Sequence, residues 1–235
     1  MKIIIIIPTL NENNNILILI RKIQKLKRTM SILIIDDNSK DGTKEKILQL
    51  NKTYKYIKFI FRKKRMGIGS AHKEGIRWAY KKKFDVCITM DADGTHNPIQ
   101  INKMINLLKN KKYNIISTSR FLLPSSLEDW SLTRKLITTI RFFLVKIILN
   151  TKLDSSGGYR CYDLKEINKI HFKIAKNNSY FFLIESLFYF ERLKYKIHEI
   201  STVLKFRFNG ESKMRFRDIF ISLYELFKLR LFNKL

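Results

Sequence analysis

The sequence predicts an α/β fold, a mostly parallel sheet with helices on both faces, and three observations carry that expectation. The first half alternates short apolar runs with helical patterns. Those runs are continuously apolar, as in strands covered on both sides. Several of them end in polar residues, Pro8-Thr9 with Asn11-Glu12, Asp36-Asp37 and Asp91-Ala92-Asp93. In a parallel sheet such ends collect on one edge, where ligands of open α/β proteins bind.

Taken in order, Lys2–Ile7 reads as a buried first strand, closed by the turn residues Pro8 to Glu12. A helical pattern follows over about Asn13–Lys27, then a strand at Ile32–Ile35. Asp41 or Thr43 is placed to cap the next helix, Lys44–Asn51, with Gly42 permitting the turn. The third strand, Ile57–Phe61, leads through Gly67-Ile68-Gly69 into a helix over Ser70–Lys82. The strand Asp85–Met90 runs into the two acids, and His96-Asn97-Pro98 opens the helix Ile99–Lys109 before a strand at Asn114–Thr118. The second half reads differently: an apolar helix Leu132–Leu149 interrupted by Arg134, Arg141 and Lys146, a Gly/Ser turn region Asp154–Cys161, and a helix Tyr180–Phe190. A strand over Tyr195–Phe208 follows, then a helix Phe216–Leu235 with Phe216, Phe220, Leu223, Phe227 and Leu231 on one stripe.

At 235 residues the chain is long enough for one α/β domain with a sizeable core and a helical extension. The net charge of +27 points to an anionic partner or to a lysine-rich codon bias, and charge alone does not choose between them. Two cysteines, Cys87 and Cys161, exclude a disulfide scaffold and fit a reducing compartment. Neither a signal peptide nor a transmembrane run of about 18 residues is expected. The four histidines show no metal-ligand spacing.

Asp91 and Asp93 carry the most information. Two carboxylates at the end of a buried strand need compensation, and a divalent hard cation that also holds a phosphate-bearing substrate supplies it. Asp37, at the end of the second strand, is placed to accept hydrogen bonds from a nucleobase or ribose. Gly67-Ile68-Gly69 lets backbone N–H groups approach an anion, and tight packing of the helix explains it equally well. Arg207 and Lys213, together with Arg120 and Arg134, form a phosphate clamp if they converge in space.

Together these motifs resemble those of family 2 glycosyltransferases of the GT-A fold, nearest in pattern to the dolichyl-phosphate and polyprenyl-phosphate mannosyltransferases. The likeness spans about Ile3 to Lys213 and rests on the ordered set just given, with Ser119-Arg120, Trp130 with Arg134-Lys135, and Asp154–Arg160. It implies a GT-A domain over residues 1–213 and an amphipathic, membrane-interfacial helix over 214–235. It implies inverting, metal-dependent transfer of a hexose, mannose from GDP-mannose, to a polyprenyl or dolichyl phosphate. By resemblance Pro8, Leu10, Glu12, Ile35 and Asp37 line the nucleotide pocket and Asp91, Ala92 and Asp93 hold ribose and diphosphate. Asp93 and Thr95 mark the Mg2+ or Mn2+ site, and Arg120, Arg134, Arg207 and Lys213 serve the phosphates. The expected partners are a nucleotide sugar, a polyprenyl phosphate lipid and the cytoplasmic face of a membrane, with no nucleic acid. A family 2 transferase for cell-wall, lipopolysaccharide or exopolysaccharide synthesis is the alternative, and a nucleic-acid-binding protein the distant one.

Overall fold

The run of isoleucines at residues 3–7 divides between two faces of one sheet. Ile3, Ile5 and Ile7 belong to one core cluster, and Ile4 and Ile6 to the other. Alternate residues of a strand point to opposite faces, so a run apolar at every position demands cover on both. The computed structural model describes residues 1–110, 112–205 and 216–232, side chains 216–220 and 232 excepted. Among these, seven strands form one sheet in the order β3-β2-β1-β4-β6-β5-β7. They are β1 (Ile3–Thr9), β2 (Ser31–Asp36), β3 (Ile57–Phe61), β4 (Val86–Thr89), β5 (Ile115–Ser119), β6 (Arg160–Asp163) and β7 (Ile197–Ser201).

One face carries α1 (Asn13–Gln24), α2 (Thr43–Thr53) and α4 (Gln100–Lys109), through Ile16, Leu19, Ile47, Met104 and Leu108. The other carries α3 (Ile68–Lys81), the short α6 (His171–Ile174) and α7 (Phe181–Arg192), through Ala71, Ile76, Phe172, Leu187 and Phe190. A third apolar cluster joins α5 (Leu132–Leu149), α7 and α8 (Phe216–Phe232) through Val145, Leu149, Ile184, Phe188, Leu226 and Leu229.

The pairs β1–β2, β2–β3, β1–β4 and β5–β7 are parallel, whereas β6 runs antiparallel to both β4 and β5. Sequence reading places Arg160 and Cys161 in a turn region; they are instead the start of β6, too short to show a period. The last strand is also shorter than Tyr195–Phe208. Ser119 of β5 pairs with Ser201, and beyond that point the partner strand has ended. The chain leaves β1 outward to β2 and β3, then returns to β4 beside β1. That reversal opens a crevice at the carboxyl ends of β1 and β4, the ligand position in this architecture.

The Gly-x-Gly segment resolves in favour of packing. A Cβ on Gly69 would lie 2.5 Å from Phe182 Cβ and 2.6 Å from the Ser179 carbonyl, and one on Gly67, at φ +89°, 2.3 Å from the Asn178 carbonyl. These glycines let α3 dock on the 177–179 segment, and Ser70 N–H donates to the Asn178 carbonyl at 3.3 Å. Gly69→Ala is therefore expected to destabilise the fold by about 1–3 kcal/mol, measured as a lowered urea midpoint.

Candidate active site

The crevice holds two adjoining cavities, of about 500 Å³ and about 560 Å³. Both are lined by Ile68, Asp91, Asp93 and Tyr180, so the two acids stand on the border between them.

The first cavity gathers residues from the ends of β1, β2 and β4. Pro8, Leu10, Glu12, Asp37 and Ala92 line it, with Arg65 and Met66 from the loop before α3. Ile35 does not, and its assignment to a nucleotide pocket is corrected. It is 0% exposed and packs in the core beneath α3, where a Cβ on Gly75 would stand 3.0 Å from its Cδ1. Asp37, two residues on, lies beyond the end of β2 and lines the cavity. The Asp37 carboxylate accepts the N–H groups of Met66 and Gly67, each at 2.8 Å, and Arg62 Nη1 at 3.1 Å. Arg62, itself buried, also reaches Glu74 at 3.0 Å and Ser70 at 3.2 Å. Three of the roughly four acceptor positions of Asp37 thus shape the loop, so building the pocket wall is its main work.

At the border, Asp93 is 5% exposed and Oδ1 accepts both the N–H of Thr95 at 3.0 Å and its hydroxyl at 2.7 Å. Gly94, at φ +82°, makes that tight loop possible. The Thr95 hydroxyl proton is thus given to Asp93, which makes Thr95 an orienting neighbour of that carboxylate. Asp91 is more open, its side chain 34% exposed. Its N–H donates to His96 Nδ1 at 3.0 Å, which leaves the ring proton on Nε2, 3.9 Å from Asp91 Oδ2. His96 is in turn stacked on Tyr159, with ring centroids 4.9 Å apart. Among the described residues no three His, Cys, Asp or Glu side chains converge. Two carboxylates are an incomplete, all-oxygen set, which suits Mg2+ or Mn2+ completed by the phosphate oxygens of a substrate and by water.

The second cavity is lined by both cationic and apolar side chains. Arg120, Arg134 and Arg141 line it with Ile137, Ile140, Leu144, Leu183 and Leu226. Arg120 leaves the end of β5 and is gripped by Asp154: Nε to Oδ2 at 2.8 Å, Nη2 to Oδ1 at 2.5 Å, and backbone N–H to Oδ2 at 3.0 Å. It also donates to Ser156 Oγ. Burial alone would raise the Asp154 carboxyl; the Arg120 guanidinium overrides that and holds it below the usual range. Arg134 lies on the indole of Trp130, its guanidinium carbon 3.6 Å from the ring centroid. Arg141 is held down to about 10 by burial and by its neighbours Arg120 and Arg134, against the pull of Asp154. Its Nη2 reaches Ser156 Oγ at 3.4 Å.

Arg120 and Arg134 are therefore brought to the same cavity as Asp91 and Asp93. Arg207 and Lys213 lie outside the described residues. Arg141 is a site residue that sequence reading missed. It stands seven residues after Arg134, two helical turns along one face of α5, and that spacing was the available signal. Asp154 and Arg160 were visible only as members of a motif. Arg160 is fully buried, donating from Nη2 to the carbonyls of Ser155 at 2.6 Å and Leu183 at 2.8 Å, and so fastens the 154–158 segment to α7.

A second acid, Glu199 on β7, accepts the Asp154 N–H at 2.7 Å. Burial pushes its carboxyl up from 4.5 to about 7; the Asp154 N–H and Arg160 oppose the rise, and the charges of Asp154 and Glu191 add to it. With the folded value above the unfolded one, the protonated acid favours folding. That contribution is present below about pH 4.5 and is lost as pH rises through about 7. Glu199→Gln is accordingly expected to lose less thermal stability than the parent chain between about pH 5 and about pH 8, read from melting curves.

Residues 4–168 match the family model for glycosyl transferase family 2. The chain belongs to that family. It is a glycosyltransferase. It is 27% identical over 215 residues to the undecaprenyl-phosphate mannosyltransferase of Micrococcus luteus, covering 91% of this chain and 88% of that one. It is 33% identical over 240 residues to the dolichol-phosphate mannosyltransferase of Pyrococcus furiosus, covering 97% of this chain but 64% of the relative. Among solved structures, the mannosyltransferase PcManGT from Pyrobaculum calidifontis, in complex with GDP-Man and Mn2+, superposes with a TM-score of 0.63 at 13% identity. That match covers 100% of this chain and 65% of the other. Glucosyl-3-phosphoglycerate synthase from Mycobacterium tuberculosis gives 0.61 at 17% identity, covering 89% and 73%. These structural likenesses establish the GT-A type of fold that the sequence motifs imply.

Proposed function

We propose that this glycosyltransferase moves a hexose, mannose, from a nucleotide diphosphate donor in the first cavity to a polyprenyl monophosphate in the second. The observation that carries the reading is the second cavity itself. Three guanidinium groups and two carboxylates line it together, beside a set of apolar side chains that includes Ile137, Leu144, Leu183 and Leu226. An anionic head with a long alkyl tail is the ligand that satisfies both halves. The relatives named for undecaprenyl and dolichol phosphates, and the solved neighbour holding GDP-Man and Mn2+, support the same choice.

The chemistry then makes modest demands on the protein. A phosphate monoester, with a second pKa of about 6, is mostly dianionic at neutral pH, so no strong general base is required. One acceptor oxygen forms a bond to the anomeric carbon as the bond to the nucleoside diphosphate breaks. A single displacement of this kind inverts the anomeric centre. Arg120, Arg134 and Arg141 offset the repulsion between two anionic reactants and hold the nucleophile in line. Asp93 and Asp91 would hold Mg2+ or Mn2+, which when bound supplies charge neutralisation to the departing diphosphate.

The outer surface fits a lipid acceptor. Leu132, Leu136, Ile140, Phe143 and Ile147 form an exposed apolar stripe on α5, from 81% exposed at Leu132 to 74% at Ile147. Tyr224, Phe227 and Leu231 continue it on α8. Among the described residues no helix is long and apolar enough to cross a membrane. We infer that these helices lie in the membrane interface, with Lys135, Lys146 and Lys228 near lipid headgroups. The stripe expected on the last helix thus has Phe227 and Leu231 facing outward, while Leu226 and Leu229 make the inner contact.

A thermal-shift panel of GDP-mannose, UDP-glucose and UDP-GlcNAc, with and without Mn2+, tests the donor half. Stabilisation by GDP-mannose that requires Mn2+ is expected; a response to the UDP-sugars alone would overturn the mannose assignment.

A further inference from the structure

We propose that Glu199 is a positioning residue for transfer. From β7 it fixes the backbone of Asp154, and through Asp154 it sets the direction in which Arg120 enters the acceptor cavity. The proposal rests on the polyprenyl phosphate reading above.

The connection is short and continuous. Arg120 directly follows β5, whose Ser117 is paired with Glu199 in the sheet register. The two residues therefore rise from neighbouring parallel strands, and the Asp154 segment is stitched between them. Glu199 Oε1 takes the Asp154 N–H at 2.7 Å. The Asp154 side chain, 1% exposed, takes three N–H groups from Arg120. Among the described residues Arg120 has no other carboxylate as a hydrogen-bond partner; its side chain also donates to Ser156 and lies 5.7 Å from the Phe121 ring centroid. Its aim is thus decided by where Asp154 sits. A displacement of about 1 Å at a substrate-holding group is enough to lower turnover substantially.

A purely structural role makes a different prediction. The 154–158 segment has a second, independent tether in Arg160, which binds the Ser155 and Leu183 carbonyls and Ser186 Oγ. Without Glu199 the segment therefore remains attached, while the N–H of Asp154 loses its fixed acceptor. The charged groups around Glu199 are Asp154 on the segment, Arg160 on β6, Glu191 on α7 and Arg120 beyond β5. The role assigned to Glu199 depends on the placement of its oxygen and not on its ionisation, because an amide oxygen accepts the same N–H.

The test compares Glu199→Gln, Glu199→Ala and Glu199→Asp, using farnesyl phosphate as acceptor and GDP-mannose with Mn2+ as donor. Gln retains the accepting oxygen, so its KM for farnesyl phosphate should stay within about twofold of the parent. Ala removes the oxygen and should raise that KM about tenfold, with affinity for GDP unchanged. Asp keeps the charge but withdraws the oxygen by one methylene; it should follow Ala, and it carries the test if the Ala variant does not fold. A parent-like acceptor KM in Ala or Asp, or an equal loss of GDP affinity, overturns the proposal. A parent chain that ignores farnesyl phosphate overturns the acceptor reading and this proposal with it. A parent chain that uses it beside an unaffected Ala or Asp variant overturns this proposal alone.

Discussion

Asp93→Asn should lower transfer by about two to three orders of magnitude while the protein stays folded. The substitution is chosen for what it keeps. Asp93 Oδ1 closes the 93–95 loop by accepting two hydrogen bonds from Thr95, and an asparagine oxygen can accept both. What disappears is one negative charge at a position 5% exposed on the border of both cavities. If that charge holds a divalent ion for the donor diphosphate, Mn2+-dependent stabilisation by GDP should vanish together with turnover. Steady-state transfer by the purified variant, with a melting curve as the folding control, makes the measurement. Undiminished turnover would remove the acidic pair from the mechanism.

Arg141→Met should raise the acceptor KM about 10- to 100-fold and at the same time stabilise the chain by about 1–2 kcal/mol. The opposite signs are the point. Arg141 is half-buried with its Nε enclosed, and burial first, then repulsion by Arg120 and Arg134, draws its guanidinium down to about 10. A partly desolvated cation beside two others, compensated by Asp154, costs the resting fold and becomes more favourable when an anion arrives between them. Methionine of similar length fills the space without the charge. Denaturant titration and acceptor kinetics on the same preparation check both halves. A destabilised variant would make Arg141 a structural group, and an unchanged KM would place the acceptor phosphate elsewhere.

The β1 to β5 half of the fold was legible chiefly because its central strands are covered on both faces and announce themselves as unbroken apolar runs, as in Ile3–Ile7 and Ile32–Ile35. The acids at the strand ends were legible for a related reason: parallel strands deliver their carboxyl ends to one edge. β6 was not, since four residues leave no period to count, and Arg160 is an unexpected residue to find fully buried. Ile35 was misassigned because closeness to Asp37 in sequence does not tell a residue inside the strand from one past its end: Ile35 packs in the core and Asp37 stands beyond β2. Arg141 was read as a cation interrupting a surface helix. Its inward direction depends on how α5 packs against α7 and α8, which no local pattern encodes. The same packing decides that Leu226 and Leu229, not Phe227 and Leu231, form the inner face of the last helix.

In the proposed reaction, clustered guanidinium groups bring a phosphate nucleophile to a second anion beside a pair of acids. Offering the chain GDP-mannose and Mn2+ with either farnesyl phosphate or farnesol tests this directly, because the two acceptors share a tail and differ only in the head. Mannosyl transfer to farnesyl phosphate with none to farnesol is the expected result. Equal transfer to farnesol, or transfer to a soluble sugar with none to farnesyl phosphate, would contradict it.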